Sequence, residues 1–373
     1  METANNEGRR LTVHQDGVPC YDIVYRSSFE DLGRELTALG YAGRQFCIVT
    51  DNHAGPLYAE QVCKALAEIC PEVPVCTIEA GRDRKDTDPV ETIIRFLTEE
   101  QIDRNGLLIA LGGTRVADAA ESAAAGFQGG TGYIRIPTSL TAQTELSFGD
   151  RAGGDAGTGN NMSVPACMPL LVYINVSVLE TLDDSCYCSG FAGVMQLGLI
   201  RDEAFYVWLL ENMYEILSRE AETMQIMLRR SNEIRNEILN RGAGVEEGRM
   251  LLRLGHTIGR AVGKYSGSRR TSGECLALGC VAAAYISWKK EMISMDEYYE
   301  IRDMFVPFGL PISEDRLDEK EILKLTGTDN EDESGRPRFV LLRGIGQAVP
   351  DETVTKEEIL AAIHEIHYVE DGE

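Results

Sequence analysis

Apolar positions in the first half of the chain fall in short runs, separated by stretches with helical spacing. Residues 10–26, RLTVHQDGVPCYDIVYR, alternate on either side of Asp16-Gly17, which predicts a β-hairpin. Phe29, Leu32, Leu36 and Leu39 have the spacing of one helix face over about 28–39. The run QFCIVTD, ending at Asp51, reads as a buried strand. The alternation continues with a helix over about 56–70, a strand at 74–78, a helix over about 89–100, and strands at 107–111, 132–136 and 170–174. Strands spaced by helices of this length predict parallel β-α-β units.

Beyond about residue 180 the strand-like runs stop. Phe205, Trp208, Leu209, Met213 and Ile216 mark an amphipathic helix over 201–217, and Met224, Met227, Leu228, Ile234 and Ile238 mark another over 220–240. Their methionine stripe reads as core. Helices over about 246–264, 273–290 and 296–305 follow, with one late strand in RFVLL, 338–342. The pattern predicts an α/β domain over 1–180, Rossmann-like, and an all-α domain over 181–373. A ligand site is expected in the cleft between them.

The formal charge of −24 argues against nucleic acid and anionic membranes as partners, although a locally cationic pocket could still take a small anion. No apolar run approaches the ~18–20 residues of a bilayer span. The opening METANNEGRR has no apolar signal core, so a cytoplasmic location is expected. The ten cysteines are scattered, several within apolar runs, and are expected to be reduced. Cys186-Tyr-Cys188 is the one close pair, and no second Cys or His pair echoes it.

The chemistry concentrates between Leu107 and Asn161. An apolar strand runs into Gly112-Gly113-Thr114 and a helix start; a second strand ends in Ile-Pro-Thr and leads into a glycine-rich loop. Such strand ends deliver main-chain amides to the sheet edge where phosphate-bearing ligands bind. Asp51 also ends a strand, where it either holds a ribose hydroxyl or caps the next helix.

In this frame IVTDNHAGPLY, LIALGGT, IRIPTSLTAQTE, LGHTIG, GECLALG and RFVLLRGIG follow the hairpin opening in order, and the chain resembles the 3-dehydroquinate synthase family of sugar-phosphate cyclases. The resemblance implies an NAD-binding α/β domain, a helical second domain and a homodimer. It further implies a divalent metal, commonly zinc, and a ring of cationic side chains around a phosphorylated keto-sugar acid.

Carried over residue by residue, Gly112, Gly113 and Thr114 match the turn at the NAD pyrophosphate, and Asp51, Lys85, Asp118, Thr138, Ser139, Thr181 and Leu182 match other NAD contacts. Arg82 replaces a glutamate that would accept a ribose hydrogen bond. Of three metal-ligand positions, His256 keeps its imidazole, whereas Gly193 stands for the carboxylate and Ser272 for the second histidine. One imidazole with a serine hydroxyl is a poor zinc site.

At the substrate positions Glu145 stands for an aspartate, Arg151 for a lysine, Gln196 for a lysine, Arg253 for an asparagine and Arg260 for a histidine. Arg249 is retained, and the Gly-Lys-Asn triplet reads Gly159-Asn160-Asn161. On an unbroken helix Arg249, Arg253, His256 and Arg260 would share one face, able to hold carboxylate or phosphate without metal. Alternatively, these arginines pair with nearby acids on a solvated face.

Two readings follow. One is a cyclase or lyase of this family acting on a phosphorylated or carboxylated sugar-like substrate with NAD. The other is an inactive homologue, serving as a ligand sensor or as partner of an active cyclase subunit. A weaker third is a dehydrogenase of the glycerol-dehydrogenase group. His364 and His367 are expected at the surface of a terminal helix, and His53 near a ribose.

Overall fold

The computed structural model describes residues 9–15, 17–79, 88–145, 167–240, 245–327 and 338–368. The chain divides into two compact units, Met1–Leu182 and Asp183–Glu373.

The first unit follows the β-α alternation. In order come β1 (Arg10–Gln15), β2 (Val18–Arg26), α1 (Leu32–Ala38), β3 (Phe46–Asp51), α2 (Ala54–Leu66), β4 (Val75–Ile78) and α3 (Pro89–Glu99). Then follow β5 (Leu107–Gly112), α4 (Thr114–Gly126), β6 (Gly132–Pro137), α5 (Leu140–Glu145) and β7 (Leu171–Asn175). The strands form one sheet in the order β1-β2-β7-β6-β5-β3-β4. Only the β1–β2 hairpin is antiparallel. Alternate residues of β3 serve opposite cores: Phe46 and Ile48 pack with Leu36 of α1 and Val62 of α2, while Cys47 and Val49 pack with Ile93 of α3 and Ala120 of α4. Helices on both faces explain why the strands read as continuous apolar runs. With this winding, the carboxyl ends of β3, β5 and β6 share one sheet edge.

The second unit contains α6 (Asp184–Arg201), α7 (Glu203–Glu211), α8 (Met213–Leu217), α9 (Ala221–Asn240), α10 (Val245–Leu251), α11 (His256–Ser266), α12 (Ser272–Lys289), α13 (Met295–Asp303), α14 (Glu319–Thr326) and α15 (Lys356–Glu365). A small hairpin pairs β8 (Phe339–Leu342) with β9 (Ala348–Asp351). The helix expected over 201–217 is two, α7 and α8, interrupted at Asn212.

Helix α12 meets α6 and α11 backbone to backbone through glycines. A methyl on Gly273 of α12 would fall 1.9 Å from the Ser189 carbonyl of α6, one on Gly279 of α12 would fall 1.9 Å from the Gly255 carbonyl, and one on Gly259 of α11 would fall 2.5 Å from the Cys275 carbonyl of α12. Only hydrogen fits at these crossings. They set α12 against both α6 and α11, the helices of Gly193 and His256, where the second unit carries its candidate chemistry.

Candidate functional site

In the first unit the candidate nucleotide turn forms where β5 ends. A Cβ on Gly112 would lie 2.6 Å from the Val116 side chain, so the strand meets α4 at a distance only glycine allows. Gly113 is the N-cap of α4 and offers no side-chain cap, which leaves the first-turn amides for an external acceptor. The Thr138 amide donates to the Gly112 carbonyl at 3.0 Å, tying the end of β6 to this turn. Ser139 Oγ accepts from the Ala142 amide at 3.2 Å and stands 3.6 Å from where a Gly113 Cβ would be. An uncapped helix start, glycine approach and two hydroxyl residues fit a pyrophosphate.

The surrounding positions follow from the same edge. Asp51 Oδ1 accepts from the amides of His53 at 2.9 Å and Ala54 at 2.7 Å, so it caps α2. His53, the residue before α2, is exposed. Asp118 lies half-buried about one turn into α4. Thr181 Oγ1 donates to the Val178 carbonyl at 3.0 Å and meets the Tyr58 hydroxyl, which itself donates to that carbonyl at 3.1 Å. Burial raises the Tyr58 phenol above its ordinary pKa. Leu182 is the last residue of the unit. Lys85, Arg82, Arg151 and Asn161 lie outside the described residues. Glu145 ends α5, and its side chain is likewise outside them.

Sequence reasoning misses a buried pair beside this turn. Arg135 of β6, 3% exposed, bonds Glu121 of α4 through Nη2, linking the helix that Gly113 caps to the strand that Thr138 follows. Its guanidinium lies 5.5 Å from the centre of the Tyr133 ring, and its Nε and Nη1 are buried without a hydrogen-bond partner. Burial pushes the Glu121 carboxyl above its usual range, against the pull of Arg135. The alternation of β6 places residue 135 on the face toward α4, but nothing local names Glu121 as its partner.

In the second unit the structure corrects a further expectation. The helix predicted over 246–264 is broken: α10 ends at Leu251 and α11 begins at His256. Gly255 between them adopts φ 77°, and a Cβ there would sit 2.7 Å from the Cys280 amide nitrogen. Gln196 of α6, 3% exposed, donates Nε2 to the carbonyls of Leu252 at 3.2 Å and Leu254 at 2.6 Å, groups that the turn takes out of helical pairing. Arg249, Arg253, His256 and Arg260 therefore do not share one helix face. Arg249 lies on α10 and Arg253 in the turn, while His256 and Arg260 are one turn apart on the same side of α11. All four are half-buried. Arg253, Gly255, Thr257 and Phe339 line a small cavity at the start of α11.

Gly193 is buried within α6, and Ser272 is exposed at the first position of α12. The glycine crossings set α12, which carries Ser272, against both α6 and the helix of His256, and the Gly273 amide donates to Ser189 Oγ at 3.0 Å. At these three positions the chain offers a hydrogen, an imidazole and a hydroxyl. Among the described residues no group of three or more His, Cys, Asp or Glu could hold a metal ion. The donor set does not fit zinc, which takes three or four nitrogen, sulfur or carboxylate ligands.

Other groups around the site have structural partners. Glu274 closes a capping box on α12: its amide donates to Thr271 Oγ1 at 3.2 Å and its Oε2 accepts from the Thr271 amide at 2.7 Å. Arg270 bonds Glu274 Oε1 at 2.7 Å and also bonds Glu314. Burial works against the Glu274 charge, yet the Thr271 amide and Arg270 hold its pKa below the ordinary value. His364 and His367 each bring Nδ1 to Glu319 Oε1 at 2.8 Å; His364 is exposed, but His367 is half-buried. All ten cysteines are free, and burial pushes the thiols of Cys47 and Cys280 up to about 12. Those two stay protonated and unreactive near neutral pH.

Comparison with known proteins covers both units. A family model described as 3-dehydroquinate synthase N-terminal matches residues 75–189, and one described as 3-dehydroquinate synthase C-terminal matches residues 190–332. The 3-dehydroquinate synthase of Nitrosomonas europaea is 34% identical over 322 residues, covering 86% of this chain and 87% of that protein. Among solved structures, 2-epi-5-epi-valiolone synthase from Streptomyces hygroscopicus with NAD+ and Zn2+ bound has a TM-score of 0.81 at 22% identity, over 93% of this chain and 96% of that one. A 2-deoxy-scyllo-inosose synthase complexed with carbaglucose-6-phosphate, NAD+ and Co2+ has a TM-score of 0.82 at 16% identity, over 95% and 99%. At such identities the two structures establish likeness of fold.

Proposed function

Because the chain belongs to the 3-dehydroquinate synthase family, we propose that it is an NAD-binding sugar-phosphate cyclase or lyase acting on a phosphorylated or carboxylated sugar-like substrate. The observation that carries the reading is the uncapped, glycine-lined start of α4 at the end of β5, braced by the Thr138 amide. Gly112, Gly113 and Thr114 hold the pyrophosphate through main-chain amides. Thr138, Ser139, Asp118 and Thr181 supply polar groups around the nucleotide, with Leu182, Asp51 and Lys85 completing the set. When bound, NAD supplies a reversible hydride acceptor.

The chain's own contribution on the substrate side is cationic. Arg249, Arg253, Arg260 and Arg151 bind phosphate or carboxylate by charge-assisted hydrogen bonds, which arginine makes in bidentate form. Asn161 orients a hydroxyl, and Glu145 carries a proton. The chain works as a homodimer, which light scattering tests.

The test is calorimetric titration with NAD+ alongside phosphate release from the seven-carbon keto-sugar acid phosphate. Saturable NAD+ binding with phosphate release supports an active enzyme. The loss of donors at Gly193 and Ser272 favours a second reading, a non-catalytic sensor or partner of an active cyclase. NAD+ binding with no phosphate release, alone or with an active cyclase added, selects the sensor. Absence of NAD+ binding overturns the nucleotide-using reading.

A further inference from the structure

Two structures that share this fold were determined with Zn2+ or Co2+ bound. In this chain α12 packs at glycine distance against both α6 and α11. Gly273 of α12 lies against Ser189 of α6, one turn from Gly193; Gly259 of α11 lies against Cys275 of α12, three residues from Ser272. Gly279 of α12 and Gly255 make a second contact between α12 and the start of α11, beside His256, and Gln196 of α6 reaches the turn just before it. Frames of this closeness tolerate no side chain at the crossing and so fix where neighbouring side chains emerge.

The groups that emerge are wrong for a metal. Gly193 has no side chain. Ser272 carries a hydroxyl, neutral near pH 7 and a weak ligand for zinc. His256 supplies one imidazole, and the nearby Glu274 carboxylate is committed to the Thr271 amide and to Arg270. Gln196, three residues beyond Gly193 on α6, commits its side-chain amide to the carbonyls of Leu252 and Leu254.

We infer that the second unit keeps the helix frame of a divalent-metal centre from which the ligands have been removed, so that this protein takes its ligand without a bound dication. The inference rests on family membership and on these helix crossings, not on the reaction proposed above. Its test needs no substrate, so its failure and the failure of that reading are separate results.

The purified full-length protein is dialysed against Zn2+, then against metal-free buffer, and its metal content measured. The wild type is expected to retain less than about a tenth of an equivalent, and Gly193→Glu/Ser272→His about one, with His256→Ala in that background losing it again. Co2+ loaded into the double variant should give the intense visible bands of a low-coordinate site. About one equivalent of zinc in the wild type, removed by His256→Ala, overturns the inference. So does a folded double variant that retains no more zinc than the wild type. Should circular dichroism find the double variant unfolded, Ser272→His alone decides, because position 272 is exposed. It should tighten Zn2+ binding at least about tenfold over the wild type, and no tightening overturns the inference.

Discussion

The side-chain amide of Gln196 donates to two carbonyls that the break between α10 and α11 leaves without helical partners. Replacing Gln196 with leucine keeps the volume roughly but removes the amide donor from both carbonyls, leaving Leu254 only the weak Cys280 thiol at 3.9 Å, which should cost about 2–4 kcal/mol of unfolding free energy, measured by urea denaturation. An unchanged midpoint would mean that water reaches the turn. Arg260 makes a separate prediction for the proposed anion site. Arg260→Ala should weaken binding of inorganic phosphate about tenfold or more by calorimetry, with an unchanged circular dichroism spectrum. Equal affinity would assign Arg260 to the surface acids instead. The sequence carries the identity of these arginines but not their arrangement. The helix break depends on Gly255 lying against Cys280, a contact between residues too far apart in the chain for any local window to contain.

Among the elements, α12 depends on its first turn. Thr271-Ser272-Gly273-Glu274 has the spacing of a capping box, and the structure forms one. Because the Glu274 pKa is lowered in the folded state, its charge contributes stability above the ordinary value of 4.5. That contribution is lost as pH falls through the folded-state pKa. Glu274→Gln should therefore lower stability by a constant amount above pH 4.5, and the gap to the wild type should close below it, read from denaturant midpoints across pH. A gap that persists in acid would assign the effect to packing. Legibility at this scale follows periodicity. The β5–Gly112-Gly113–α4 unit is readable because a buried strand, a glycine turn and a helix follow one another locally. By contrast, α6 escapes prediction, since residues 190–200 are buried on all sides and leave no polar face to reveal a period. Pro350 hides β9, because proline within a short run argues against a strand.

For the whole molecule, charge is the dominant bulk property. A formal net charge of −24 implies self-repulsion that salt screens. Raising NaCl from about 10 mM to about 300 mM should raise the thermal midpoint by a few degrees. A midpoint that falls would mean that ion pairs such as Arg270 with Glu274 outweigh the net charge. No helix among the described residues is long and apolar enough to cross a membrane.

The glycine crossings also bear on how such a chain changes over generations. A methyl at Gly279 or Gly273 would lie 1.9 Å from a backbone oxygen, so selection for folding alone holds these positions. Ser272 is exposed and carries no such constraint. A lineage can therefore exchange the side chain there while its scaffold stays fixed. On the inference above, Gly193→Glu with Ser272→His should return the lost ligands to α6 and α12, helices that still meet.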